Sequence, residues 1–132
     1  MTIDRFQGEY RFLSNFAPSS IDFDQYTFPT VEHAYQAAKN STATYRSMIA
    51  KAKTPSQAKL LGSRVALRPD WDAKKLVFMR IFVSQKFHCH PAYKEALLAT
   101  GDQELIEGNG WGDTFWGMCN GRGENNLGKI LM

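Results

Sequence analysis

Apolar positions alternate in the first quarter of this chain and recur at helical spacing after it. Ile21, Phe23, Tyr26 and Phe28 flank Asp24-Gln25, which reads as a small hairpin around a polar turn. Ahead of it, residues 10–16 read as a short strand running into a loop at Ser14-Asn15, and Pro18 with the two serines after it marks a turn. Residues 29–39, PTVEHAYQAAK, then predict a helix capped by Thr30. Val31, Ala34 and Ala38 form a small apolar face suited to burial. Glu32, Tyr35, Gln36 and Lys39 fall at i, i+3, i+4 and i+7 and share another face.

The rest of the pattern is mostly helical. Asn40-Ser41 ends the first helix, and a second covers residues 45–53. Thr54-Pro55-Ser56-Gln57 is a helix start: Thr54 caps, Pro55 takes the first position and Gln57 completes a capping box, with Gly62 as the stop. Arg68-Pro69-Asp70 opens the longest helix, residues 71–86, with Leu76, Met79, Ile81, Phe82 and Val83 as its core candidates. Pro91 starts another helix through Leu98, and Gly101 ends it. Residues 105–107 read as a short strand. Residues 108–123 form a glycine-rich loop carrying Trp111, Asp113 and Trp116, and long ordered loops tend to be functional. Residues 126–132 begin a final helix that stops on apolar residues without a cap, as expected where the natural chain runs further. The sum is an α+β pattern, mainly helical with a few short strands. It lacks the strand–helix alternation of a doubly wound sheet.

Composition narrows this only a little. The 132 residues suit one domain spanning 1–132, without linker, repeat or low-complexity tract. The formal charge of +3 permits an anionic ligand such as a phosphate, but the basic residues are scattered and do not describe a nucleic-acid coat. The two cysteines, Cys89 and Cys119, define no disulfide framework. No apolar run approaches the ~20 residues of a membrane span, and no signal core follows Met1. A soluble cytoplasmic protein is the expectation.

Several constellations have a plain structural reading beside a chemical one. His33, His88 and His90 surround Cys89, but HCH is not a usual zinc spacing, and a hydrogen-bonded structural histidine is the better reading of His33. Neither cysteine lies in a motif that would lower its pKa, and Ser14 lacks a nucleophile elbow. The string GRGENNLG, residues 121–128, either shapes a tight turn or leads an anion to a helix N-terminus. The carboxylates are the stronger candidates. Glu32 stands in a first helical turn, where the dipole favours a negative charge, and Asp113 stands in the glycine-rich loop. Two carboxylates can divide acid, base and cation-stabilising work at a glycosidic bond. Dipole compensation by Glu32 and turn formation by Asp113 remain open alternatives. Lys39 lies about 10 Å of helix rise beyond Glu32. An amine there can form a Schiff base with the carbonyl of an opened ribose, or satisfy the last helical carbonyls.

The chain resembles the YbiA-like family, also called NADAR (NAD- and ADP-ribose-associated). The matching strings are FLSNFAP at 12–18, FPTVEHAYQAAK at 28–39, LRPDW at 67–71, KF at 86–87, LLATGDQELIEGN at 97–109, DTFWG at 113–117 and GENNLGKILM at 123–132. They stand in family order and cover nearly the whole chain. The resemblance implies a compact α+β fold and an N-glycosidase acting on ribosylated nitrogen compounds. The implied substrates are phosphorylated ribosylaminopyrimidines of the riboflavin pathway, or ADP-ribosylated guanine, with ADP-ribosylated DNA as a further substrate. No metal or organic cofactor is implied.

Residue by residue, Glu32 matches the glutamate of the family's EH motif and Lys39 the lysine that closes it. Asp113 and Trp116 match the D-x-x-W-G motif, Trp71 the tryptophan after the proline-aspartate pair, and Asn15 the asparagine of SNF. The resemblance thus implies Glu32, Lys39 and Asp113 as catalytic residues, with Asn15, Tyr35, Arg64, Trp71 and Trp116 binding substrate. One departure stands out: after Leu61-Gly62 the family often has arginine, whereas this chain has Ser63 and then Arg64. The competing reading is a non-catalytic module that holds ADP-ribose or a nucleotide in the same pocket.

Overall fold

The computed structural model describes residues 2–132 and divides into two compact units, Asn15–Cys89 and Met1–Ser14 with His90–Met132. The α+β class expected from sequence is the one observed: helices dominate and the strands are short.

In the Asn15–Cys89 unit, β2 (Pro18–Phe23) and β3 (Tyr26–Thr30) form the predicted antiparallel hairpin, with Ile21 opposite Phe28 and Phe23 opposite Tyr26. Asp24 and Gln25 both take positive φ, 51° and 66°, which matches the turn to the right-handed twist of the strands. Ile21 and Phe28 are fully buried. The chain passes directly from β3 into α1 (Val31–Ala38), and Thr30 serves both elements. Its hydroxyl accepts from the His33 backbone N–H at 3.1 Å, which is the expected cap.

Helix α1 is buried on every side, not on the apolar face alone. It packs against α2 (Ala43–Ala50), α3 (Pro55–Gly62), α4 (Trp71–Cys89) and the hairpin. Glu32, Tyr35 and Gln36 are therefore enclosed by protein. The last carbonyls of an α-helix lack the usual N–H four residues on; at the end of α1, Gln36 O accepts from the C-cap N–H of Lys39 at 3.2 Å. Helix α2 adds side-chain donors: Tyr45 donates to Gln36 O at 2.7 Å, and Arg46 Nε to Ala37 O at 3.2 Å. Burial pushes the Tyr45 pKa up to about 12. Helix α3 begins as predicted, with Thr54 accepting from Gln57 N. The reciprocal Gln57 bond takes the N–H of Lys53 rather than that of Thr54.

Helix α4 buries Met79, Phe82, Val83, Lys86 and Phe87, the spacing of one helical face. Two of its expected core residues are not core. Ile81, two positions from both Met79 and Val83, points away from that face and is 50% exposed, and Leu76 is 39% exposed.

In the other unit, β1 (Thr2–Ile3) pairs in parallel with β4 (Glu104–Leu105), and β5 (Gly108–Asn109) with β6 (Met118–Cys119). Where a strand was expected at residues 10–16, the chain forms a 3-10 helix, Gly8–Leu13. Bonds such as Tyr10 N to Gln7 O and Ser14 N to Arg11 O satisfy the backbone locally where no partner strand pairs with it. Helix α5 (Pro91–Ala99) has proline in its first turn as predicted. Helix α6 (Asn126–Leu131) follows Asn125, which adopts a left-handed φ of 53°. The Asn125 side chain donates to Leu105 O and accepts from Glu107 N, so the glycine-rich string before α6 is a turn pinned to β4. Among the described residues, no helix is long and apolar enough to cross a membrane.

Candidate functional site

The Asn15–Cys89 unit holds six of the residues singled out from sequence. Glu32 is only 7% exposed, in the first turn of α1. Its backbone N–H donates to Asn15 O at 3.1 Å, so the SNF loop caps the same turn that carries the carboxylate. The Asn15 amide donates to Met79 Sδ at 3.4 Å and anchors that loop on α4. One turn along α1, Gln36 Nε2 donates to Glu32 Oε1 at 3.0 Å.

Lys39 stands at the C-cap of α1, with its amine 5.8 Å from the centre of the Tyr35 ring. Burial pulls its pKa down; the negative charge of Glu32 opposes this, and the positive charge of Lys59 adds to the lowering. A lysine with a lowered pKa carries more neutral, nucleophilic amine at a given pH. The Tyr35 ring lies 5.2 Å from that of Trp71, inclined at 52°. Trp71 in turn stacks on Phe78 at 6.2 Å and is 5% exposed. One chain of contacts thus runs from Lys39 through Tyr35 to Trp71, beside the Glu32 turn.

Arg64 is exposed in the turn after α3. A different arginine, not singled out from sequence, is tied to the lysine: the Arg68 backbone N–H donates to Lys39 O at 2.7 Å, and its guanidinium pairs with Asp70 at 2.6 Å. Lys59 and Gln36 were also missed as contributors. Gln36 was visible on the Glu32 face, but nothing in the sequence says which neighbour an amide will hold. Lys86 stands in the KF string of the family resemblance, but nothing in the sequence marks it as fully buried in α4, because a lysine in a helix reads as surface.

His33 is the structural histidine expected. Its Nε2 donates to Ala52 O at 3.0 Å, and its Nδ1 accepts from the Thr30 hydroxyl at 2.7 Å. Burial lowers its pKa, which suits this neutral tautomer.

Asp113 and Trp116 belong to the other unit. Asp113 Oδ1 accepts from the backbone N–H groups of Phe115 and Trp116, at 3.2 and 3.0 Å, so the turn-forming role is present. Asn109 grips Asp113 from both sides, accepting from its N–H and donating to its carbonyl. The same Asn109 amide donates to Glu107 Oε2 at 3.1 Å, which ties a second carboxylate, unremarked in the sequence, into this turn. A side chain at Gly117 would overlap Glu107, which explains the glycine of the D-x-x-W-G string. Trp116 meets Phe115 edge to face at 4.7 Å. A cleft of about 640 Å³ in this unit is lined by Asp4, Arg5, Asn109 and Trp111 among others.

Comparison with known proteins identifies the family. The NADAR domain model matches residues 4–132. An N-glycosidase of Nostoc punctiforme is 43% identical over 129 residues, covering 93% of this chain and 82% of that protein. A riboflavin biosynthesis protein of Vibrio vulnificus is 38% identical over 124 residues, covering 92% of this chain and 34% of that protein. The NMR structure of the E. coli protein YbiA superposes with a TM-score of 0.87 at 35% identity, covering all of this chain and 80% of that one. With the family model spanning all but its first three residues, the chain belongs to the NADAR domain family.

Proposed function

We propose that this chain is an N-glycosidase that hydrolyses the C–N bond between ribose and a base-like nitrogen. Its substrates are phosphorylated ribosylaminopyrimidines or ADP-ribosylated guanine. The observation that carries this reading is the pairing, on one helix, of a buried carboxylate at Glu32 with an amine of lowered pKa at Lys39. The names of the Nostoc and Vibrio relatives support the reaction class and the riboflavin-linked substrate.

Cleavage of such a bond builds positive charge at the anomeric carbon. Glu32, in a site shielded from water, stabilises that charge or orients the ribose hydroxyls. Lys39 adds to C1 of the ring-opened sugar, where the base nitrogen is held as an iminium; the C1–N bond to the base breaks and the base leaves as its free amine. Water then hydrolyses the resulting Lys39 Schiff base to the sugar aldehyde and the lysine amine; or Lys39 acts only as the cationic partner of Glu32. Tyr35 and Trp71 form an aromatic wall for the substrate, with Asn15 and Arg64 holding ribose or phosphate. For Asp113 the family resemblance supports a water-positioning or proton-transferring role, with Oδ2 the atom for it, since Oδ1 accepts from two N–H groups. The same resemblance supports a base-stacking role for Trp116.

A panel assay tests this. The protein is incubated with a ribosylaminopyrimidine phosphate, ADP-ribosylated guanosine and ADP-ribosylated DNA, and the products are separated by chromatography. Release of the free base from at least one substrate is expected. Binding without cleavage of any of them would replace this reading with that of a non-catalytic module.

A further inference from the structure

The Gln36 amide is hydrogen-bonded to Glu32, and its setting is unusual. Its Nε2 must face Glu32 Oε1, because a carboxylate accepts and does not donate. The other end of the amide, Oε1, is then turned into the protein, where it is buried and has no hydrogen-bond partner among the described residues. The side chain as a whole is 3% exposed. Buried polar atoms are ordinarily paired, so an amide left half-satisfied beside a carboxylate calls for a reason.

The reason lies on α3. Gly62, the last residue of that helix, lies directly against the amide. A Cβ at this position would overlap Gln36 Oε1, and would stand 2.7 Å from Cδ and 3.2 Å from Cβ of the same side chain. Gly62 is itself buried, and its φ lies outside the left-handed region, so the glycine is not required by its own backbone. It is required by the space that Gln36 fills. On sequence alone, Gly62 looks like an ordinary helix stop.

We infer that Gln36 and Gly62 are positioning residues of the glycosidase site: the bare Gly62 backbone leaves room for the Gln36 amide, which holds the Glu32 carboxylate in its working orientation. Neither touches the reacting atoms in this scheme; both act through Glu32. The inference rests on the reading that Glu32 serves the reaction. Lys39, at the end of the same helix, feels the charge of Glu32 and that of Lys59 on α3. The amide is a neutral partner that fixes geometry rather than net charge.

The test uses Gln36→Met, Gln36→Ala, Gly62→Ala, the double variant Gly62→Ala/Gln36→Ala, and Glu32→Gln. Gln36→Met keeps the length and burial of the side chain but removes the donor. It is expected to lower kcat by about tenfold or more, the range for a lost hydrogen bond to a charged group. It is also expected to move the acid limb of the kcat/KM profile to higher pH, because the carboxylate loses a bond that favours its charged form. KM should change little. Gly62→Ala should lower kcat comparably by displacing the amide. The double variant, in which the added methyl meets no amide, should be no worse than Gln36→Ala alone. Circular dichroism and thermal melting of each variant separate loss of fold from loss of position. If a folded Gln36→Met retains kcat and an unmoved acid limb while Glu32→Gln is inactive, the positioning role is overturned and the glycosidase reading stands. If Glu32→Gln keeps full activity, the reading beneath it fails instead.

Discussion

Lys86 offers the sharpest physical test of this structure. It sits in the buried face of α4 at 1% exposure, with its amine 5.1 Å from the centre of the Phe87 ring. Burial pulls its pKa down from 10.5 to about 7. In the unfolded chain the same amine keeps an ordinary lysine pKa. Between about pH 7 and 10.5 the unfolded state therefore binds more protons than the folded one, and stability rises with pH across that window. The penalty is fully present below about pH 7 and absent above 10.5. At 1.36 kcal/mol per pH unit, the gap is worth about 5 kcal/mol, as much as the whole net stability of a marginal domain. Lys86→Met keeps the length of the stem and removes the amine. Urea denaturation of both proteins at about pH 7.5 and about pH 9.5 should show the wild type gaining about 2–3 kcal/mol relative to the variant. The difference between the two proteins isolates Lys86, because Lys39 and Tyr45 titrate in both. A difference that stays flat across this range would refute the burial of a neutral amine in α4.

Four further outcomes are expected. Glu32→Gln should abolish base release with the melting temperature nearly unchanged; full turnover by the variant would remove Glu32 from the mechanism. Borohydride added during turnover should trap a substrate adduct on Lys39, with the yield rising through a midpoint below 10.5, since burial lowers that pKa; mass spectrometry without a Lys39-linked adduct would leave the lysine only its charge. Thr30→Ala removes the helix cap and the partner of His33 Nδ1, and should destabilise the fold by about 1–2 kcal/mol; a change below about 0.5 kcal/mol in chemical denaturation would contradict that role. Because burial lowers the His33 pKa, the unfolded state takes up this proton first, so stability should fall as pH drops below 6.5. His33→Gln should lack that component, and identical pH profiles for the two proteins would count against the buried neutral imidazole.

Local signals were legible where a residue acts through its own backbone. Thr30 and Thr54 cap because their hydroxyls reach N–H groups three residues on, and Asp24-Gln25 turns because polar residues tolerate positive φ. The expected strand at residues 10–16 failed for the complementary reason: a strand needs a partner, and partners are not written in the segment itself. Ile81 shows the same limit within a helix, since an apolar residue is core only where another element covers it. For the candidate site, the strings that carry the family resemblance named Glu32, Lys39 and Asp113. They gave no account of Asn109 gripping Asp113 from both sides, or of Gly62 making room for Gln36.

By itself, then, the sequence determined the α+β class, most helix starts, the family and the shared face of Glu32, Tyr35, Gln36 and Lys39, because each of these depends on neighbours along the chain. Tertiary structure alone decided that this face is enclosed. Once α2, α3, α4 and the hairpin surround α1, the carboxylate is shielded from water, the lysine pKa falls and a single missing Cβ sets where an amide points. Desolvation and steric exclusion arise from atoms distant in sequence, so no periodicity in one segment could have announced them.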